Sequence, residues 1–181
     1  MPDAYISRVA NRLGAASLTL SDAIREATEA ATGMGGGIPA ALVSLREWAD
    51  GTSVDVLADA MRLSHSRAVR VVDRLEEAGL ARREPDPSDG RRALVWLTPS
   101  GRRLADRALK ARSGALDSVV ATLTAAERRD LDRVLAAVLD VTTVDASASR
   151  GTCRLCDAHV CGHYEGACPV TQAAERRRAH A

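Results

Sequence analysis

The four cysteines of this chain, Cys153, Cys156, Cys161 and Cys168, follow the spacing C-x2-C-x4-C-x6-C near the C-terminus. A two-residue gap lets two thiolates turn toward one ion, and Gly162, Gly166 and Pro169 supply bends that could bring in the second pair. Four soft ligands suit tetrahedral zinc, with His159 and His163 as substitutes if one cysteine points away. The segment has few apolar anchors beyond Leu155, Val160 and Val170, so metal binding could supply its folding energy. Other chemistries stay open: an iron–sulfur cluster, for which only the Cys168-Pro169 ending fits, reversible redox thiols, or idle thiols in a flexible tail.

A second constellation lies in the middle of the chain. Ser64, His65, Ser66, Arg67, Arg70 and Arg74 share the polar side of a short helix whose opposite side carries Ala68, Val71, Val72 and Leu75. Downstream, Asp89-Gly90-Arg91-Arg92 forms a basic tip between two alternating segments. A helix fits the major groove of a DNA duplex, and a long cation at a hairpin tip reaches the adjacent minor groove. Asp89 would aim Arg91 by a charge-assisted hydrogen bond rather than touch DNA itself. Taken alone, the helix side could be an ordinary solvated surface; the hairpin tip gives it meaning.

The elements that must hold these groups can be read from periodicity and caps. Residues 3–31 form one long helix with apolar spacing of three and four, ended by Gly33-Met34-Gly35-Gly36-Gly37. That glycine run is a hinge, since no Gly-Lys-Ser/Thr follows to make a phosphate loop. Three short helices follow: Ile38–Asp50, Ser53–Met61, and one capped by Ser64 that stops at Gly79. Leu80–Glu84 and Ala93–Leu97 are strands joined by an extended polar connection over 85–92. Thr98-Pro99 opens a helix to about Thr122, and the capping box Thr124 to Glu127 opens the last long one. The fold expected is mainly α: a winged helix-turn-helix head over 38–98 and a helical dimerisation domain from 1–37 and 99–144. A linker over 145–152 then leads to a cysteine-rich, metal-binding tail over 153–181.

The run LSHSRAVRVVDRLEEAGL over 63–80, then Arg82-Arg83, then Asp89-x-Arg91 and Leu97-Thr98, resembles the MarR family of bacterial transcription regulators. The likeness extends from about residue 3 to residue 144 and is most specific over 54–104. It implies an obligate homodimer with interlocked first and last helices, two winged heads and a pseudo-palindromic double-stranded operator. On that likeness Ser64, Ser66, Arg67 and Arg70 read bases or phosphates, Arg91 enters the minor groove, and His65 sits at a variable position. It also implies a small anionic or aromatic effector between head and dimer domain, for which Tyr5, Trp48 and Trp96 are the aromatic candidates. Some relatives sense oxidants with an N-terminal cysteine; no cysteine precedes Cys153, so that device does not carry over.

Composition narrows the classes further. The formal net charge is only +1 and aromatics are 2% of residues with no Phe, which argues against an aromatic-rich β-sandwich. Residues 82–112 nevertheless hold nine basic side chains against four acidic ones, a local anion-facing surface. No stretch is long and apolar enough to span a membrane and no signal-peptide core is evident, so a cytoplasmic location is expected. Catalytic signatures are missing, and a thiol oxidoreductase acting through Cys153 and Cys156 would lack its βαβ context. The expected function is a dimeric DNA-binding regulator, most simply a repressor, whose affinity an effector sets. The competing class is a protein-interaction module that keeps the winged head as a relic. Retention of Arg67, Arg70 and Arg91 speaks for DNA.

Overall fold

The computed structural model describes residues 3–179, apart from the side chains of Gly90, Arg91 and residues 146–148. The elements run α1 (Ala4–Thr32), α2 (Ile38–Ser44), β1 (Thr52–Ser53), α3 (Val54–Met61), α4 (His65–Glu77), β2 (Ala81–Asp86), β3 (Asp89–Leu97), α5 (Pro99–Val120), α6 (Ala125–Thr142), α7 (Ala146–Cys153) and α8 (Pro169–Arg178). The strands form one antiparallel sheet in the order β1-β3-β2, with Ala81 opposite Leu97 and Arg83 opposite Val95. Among the described residues, no helix is long and apolar enough to cross a membrane.

Local chemistry sets most boundaries. Asp3 accepts from the Tyr5 N–H at the start of α1, and Gly33 ends that helix at φ 68°. Thr98 caps α5, and the Thr124–Glu127 box caps α6 reciprocally. Gly79 follows α4 at φ 65°, a left-handed position where glycine carries no steric penalty. Gly101 has a different reason: a Cβ there would overlap the carbonyl oxygen of Leu80, so α5 approaches the wing entry only with glycine.

The head has one continuous core. Ile38, Leu42, Leu45, Leu57, Val72, Leu75, Val95 and Leu97 are all buried, and Leu104 and Ala105 of α5 close it from the side of the long helices. Each such aliphatic side chain contributes about 1.5–3 kcal/mol on burial. The opposite holds for the long helices. Tyr5, Ile6, Val9, Leu13 and Leu18 of α1 and Val134 and Leu135 of α6 are exposed, and no residue of the 18-residue α6 is buried.

Three expectations need correction. Ile38–Asp50 is not one regular helix: after Ser44 the chain widens into a π-helical turn over Leu45–Ala49. The hairpin connection is shorter than residues 85–92, because the strands extend to Asp86 and Asp89, leaving Pro87 and Ser88 at the turn. There Asp86 accepts from both the N–H and the hydroxyl of Ser88. The segment 145–152 is not an open linker, since α7 occupies Ala146–Cys153 and packs on α3. Its small residues carry no apolar stripe of their own, and contacts with the head decide their conformation.

Candidate nucleic-acid interface

Helix α4 presents its polar side outward. Ser64, His65, Ser66, Arg67, Arg70 and Arg74 are all exposed, while Ala68, Val71, Val72 and Leu75 face the head core. Ser64 occupies the N-cap position, but its hydroxyl lies 3.3 Å from that of Ser66 instead of capping the helix. His65 is not free to rotate: its Nδ1 lies 2.6 Å from Asp55 Oδ1 on α3. Asp55 was missed in the sequence, where it reads as a solvated helix position.

The arginines divide into two groups. Arg67, Arg70 and Arg74 make no ion pair among the described residues, and together with Gly36, Leu63 and Val71 they line a depression of about 400 Å³. Spacings of three and four put the three guanidiniums on one side of α4. Arg83, by contrast, is tied into the head by Asp73 at 2.8 Å and by Glu76. Arg82 pairs with Glu84 at 2.7 Å, and Arg102 pairs with Asp50. Part of the basic excess over 82–112 is therefore structural. At the wing, Arg92 is exposed, and its charge acts on Asp86, whose carboxyl already lies below the usual range through the Ser88 hydroxyl and N–H. Arg91, with the Asp89 contact expected for it, lies outside the described side chains.

A helix with uncompensated cations, set beside a two-stranded wing with an exposed Arg at its tip, is shaped for a polyanion with grooves. Known proteins with this arrangement decide the family. The family model described as MarR family matches residues 47–92. CouR from Rhodococcus jostii RHA1, solved bound to p-coumaroyl-CoA, is 30% identical, covering 74% of this chain and 90% of that one, with a TM-score of 0.55. Sco3205, a MarR family transcriptional regulator from Streptomyces coelicolor solved in complex with DNA, is 26% identical, covering 78% of this chain and 90% of that one, with a TM-score of 0.64.

The chain belongs to the MarR family. It thus falls among transcription regulators rather than enzymes. A curated protein of Thauera aromatica, described as a transcriptional regulatory protein for the hcr operon, is 45% identical over 51 residues. That match spans 28% of this chain and only about a third, 31%, of the relative.

In this MarR-family chain a cavity of about 550 Å³ lies between α1, the start of α2, α5 and the tail. Arg25, Arg112 and Arg154 line it, along with Ile24, Pro39 and Leu155. Its lining includes none of the aromatic candidates. Tyr5 is exposed near the far end of α1 under the Arg8 guanidinium. Trp48 borders a separate space against the tail, and the Trp96 ring lies over Gly51, where no Cβ would fit.

The cysteine tail folds back instead of hanging free. Cys153 closes α7, Cys168 is the N-cap residue of α8, and Gly162 and Gly166 turn the intervening loop at φ 72° and 67°. Cys168 is buried and the other three thiols are half-buried, with Cys161 Sγ donating to the Ala158 carbonyl at 3.5 Å. The Cys153 neighbour lowers the Cys156 thiol to about 6 against the opposing effect of burial, helped by Arg112 and Arg154. Cys156 and burial push Cys153 up, while burial and the Cys168 neighbour push Cys161 up to about 11. Among the described residues, no group of three or more His, Cys, Asp or Glu is arranged to hold a metal ion. His163 is engaged elsewhere, with Nδ1 2.8 Å from Thr171 Oγ1 and its ring edge-on to Trp48 at 4.8 Å. The His159 ring lies 4.9 Å from that of Tyr164.

Proposed function

We propose that this chain is a homodimeric, cytoplasmic DNA-binding repressor whose operator affinity is set by a small anionic effector. The observation that carries it is the row Arg67, Arg70 and Arg74, three exposed cations without carboxylate partners among the described residues, on the recognition helix of a winged head. Ser64, Ser66 and the N-terminal turn of α4 would reach base edges, with the wing arginines Arg91 and Arg92 in the minor groove. Dimerisation is supported by the uncovered apolar positions of α1 and α6, which a second copy would bury. Two heads would then meet a pseudo-palindromic site with half-sites about one DNA turn apart. The 550 Å³ cavity supports the effector reading: three lining arginines suit one negative charge, and Ile24, Pro39 and Leu155 suit an apolar body.

The reading is tested by selecting duplexes from a random pool with the purified full-length protein, then measuring its mass by analytical ultracentrifugation with and without the selected duplex. A dimer that enriches a two-fold symmetric sequence is expected. A monomer that enriches nothing over random competitor would overturn it.

For the tail we propose one zinc ion held by Cys153, Cys156, Cys161 and Cys168. The spacing of the four cysteines and the turns at Gly162 and Gly166 that lead back to Cys168 support a common centre; binding requires the thiols to close on it. The lowered Cys156 thiol, two residues from Cys153 in a C-x2-C spacing, favours a second reading, a reversible dithiol pair. Elemental analysis of protein purified without chelator, with an absorption spectrum and a free-thiol count, separates zinc from an iron–sulfur cluster and from a metal-free dithiol.

A further inference from the structure

One contact beside the recognition helix does not fit a simple cationic grip on DNA. Asp55, in the first turn of α3, meets His65, the first residue of α4, with Oδ1 2.6 Å from Nδ1. The two side chains are 65% and 63% exposed, so the pair adds little to stability. A carboxylate next to a polyanion also opposes its approach. What the contact does fix is the orientation of the imidazole and the place of its proton.

The platform under the pair is rigid. Leu57 and Met61 of α3 share one core with Val71, Val72 and Leu75 of α4. The turn between the helices is closed by the Leu63 N–H donating to the Ala58 carbonyl at 2.9 Å and the Arg62 N–H donating to the Asp59 carbonyl at 3.1 Å. Arg62 closes α3 at φ 53°, a left-handed conformation that sets the sharp change of direction. Ser53 caps the start of α3, and the Asp55 carboxylate sits near that helix's positive end. Neither partner can drift from the other without moving a packed helix.

An ionised carboxylate only accepts hydrogen bonds, so the nitrogen that meets it, Nδ1, carries the proton. In the neutral ring Nε2, on the opposite edge, is then a bare acceptor. In the major groove cytosine and adenine each show an exocyclic amine donor, whereas guanine O6 and N7 and thymine O4 only accept. Ser64 and Ser66, whose hydroxyls lie 3.3 Å apart, can donate or accept and do not separate these classes; arginine side chains only donate.

We propose that Asp55 is a positioning residue that locks His65 in the Nδ1–H form, and that Nε2 of His65 accepts from the exocyclic amine of one cytosine or adenine in each half-site. This rests on the DNA-binding reading above and names one base contact within it. Discrimination follows from the same geometry: against an acceptor on the base edge, the Nε2 lone pair meets another lone pair with no proton between them. Without Asp55 the ring takes either form and the preference at that base pair is lost.

The test uses full-length protein. Duplexes are selected from a random pool at pH 8.5, above the range in which imidazoles titrate, by the parent, His65→Ala and Asp55→Ala, each checked for folding by circular dichroism. The pair whose preference His65→Ala loses marks the contact, and Asp55→Ala should lose the same preference and keep the others. Removing the amine at that pair (2-pyrimidinone for cytosine, purine for adenine) should weaken the parent about fivefold per half-site and leave His65→Ala binding unchanged. Replacing the purine of that pair by its 7-deaza form should leave the parent's affinity unchanged. Two-bond proton–nitrogen spectra of the free protein, with His65 identified by its absence in His65→Ala, should place the proton on Nδ1 in the parent and on Nε2 in Asp55→Ala. A parent ring protonated on Nε2 would overturn the proposal, as would an Asp55→Ala or His65→Ala protein with every preference of the parent. So would a parent that is weakened by the 7-deaza purine and indifferent to the missing amine. A parent that selects no duplex would remove the DNA reading itself, and the base contact with it.

Discussion

Replacing Arg70 by Gln offers a quantitative probe of the α4 surface, because it removes one charge and keeps most of the side-chain length. Arg70 is exposed and has no ion-pair partner among the described residues, so folding stability should change by less than about 0.5 kcal/mol. The effect on DNA is larger and has a distinctive form. In a two-fold dimer each substitution removes two cations from the duplex. At about 0.9 counterions released per phosphate on B-DNA, two lost contacts flatten the slope of log affinity against log salt by about 1.8. Across a fourfold rise in salt, the variant should therefore lose roughly tenfold less affinity than the parent. Fluorescence anisotropy on one duplex over a salt series measures this directly. Arg83→Gln is the internal comparison: Arg83 is held by Asp73 and Glu76, so its loss should lower stability and leave the slope in place. An Arg70→Gln protein with unchanged affinity and unchanged slope would refute the assignment of this surface to DNA. A loss confined to one sequence at constant slope would move Arg70 from a phosphate to a base edge.

Two further outcomes follow from particular contacts. Gly101→Ala places a methyl group against the Leu80 carbonyl, so α5 must shift from the wing entry; the expected cost is about 1–3 kcal/mol. For a chain of this length that is a Tm lower by roughly 2–12 °C in a thermal melt, and an unchanged Tm would show that α5 does not approach so closely. Asp140 gives a pH prediction. The Arg176 hydrogen bond, opposed by burial and aided by Arg177, holds its carboxyl below the usual range. A depressed folded-state value means that the clamp on α8 is complete above the ordinary carboxylate value of about 3.9 and is lost as pH falls through the lower folded value. Hydrogen exchange over α8, corrected for the intrinsic pH dependence, should show the same protection at pH 7 and pH 5; release between those values would contradict the assignment.

How far the sequence carried depends on whether a feature is local. The recognition helix was legible because Ala68, Val71, Val72 and Leu75 repeat at helical spacing and Gly79 stops it, all within one short run. The caps of α5 and α6 were equally local, a Thr-Pro pair and a capping box. Long-range pairings left no such trace. Arg82, Arg83 and Arg102 read as part of a basic patch, yet the partners of Arg83 and Arg102 lie on α4 and ahead of β1, dozens of residues away in the latter case. The helix over Ala146–Cys153 looked like a linker because its alanines, serines and glycine show no apolar periodicity, and Asp59 and Arg62, which it meets, are far upstream. Glu47 was invisible for the same reason: an acid in a helix reads as solvated until its partner, the Ala158 N–H, folds back over it.

These long-range contacts converge on one short stretch of the head. Pro39 and Ala40 border the arginine-lined cavity, Ser44, Glu47 and Trp48 bind the tail, and Asp50 accepts from the Leu97 N–H at 3.0 Å while pairing with Arg102 of α5. The arginine-lined cavity, the tail and the wing are thus attached to the same thirteen residues, 38–50, within a close-packed core that cannot deform smoothly. The π-helical turn follows from these demands. A regular α-helix repeats every 3.6 residues, whereas Leu45 must enter the head core while Glu47 and Trp48 both turn to the tail. Widening one turn meets both requirements, in keeping with the tendency of such turns to occur at functional positions. A ligand in the cavity, which shares Thr152, Arg154, Leu155 and Cys156 with the tail, would press on the tail and on the first helix of the head together. A ligand there and a substitution in the tail at Thr152 or Leu155 would then bias one equilibrium, and their effects on duplex affinity should not add as independent terms.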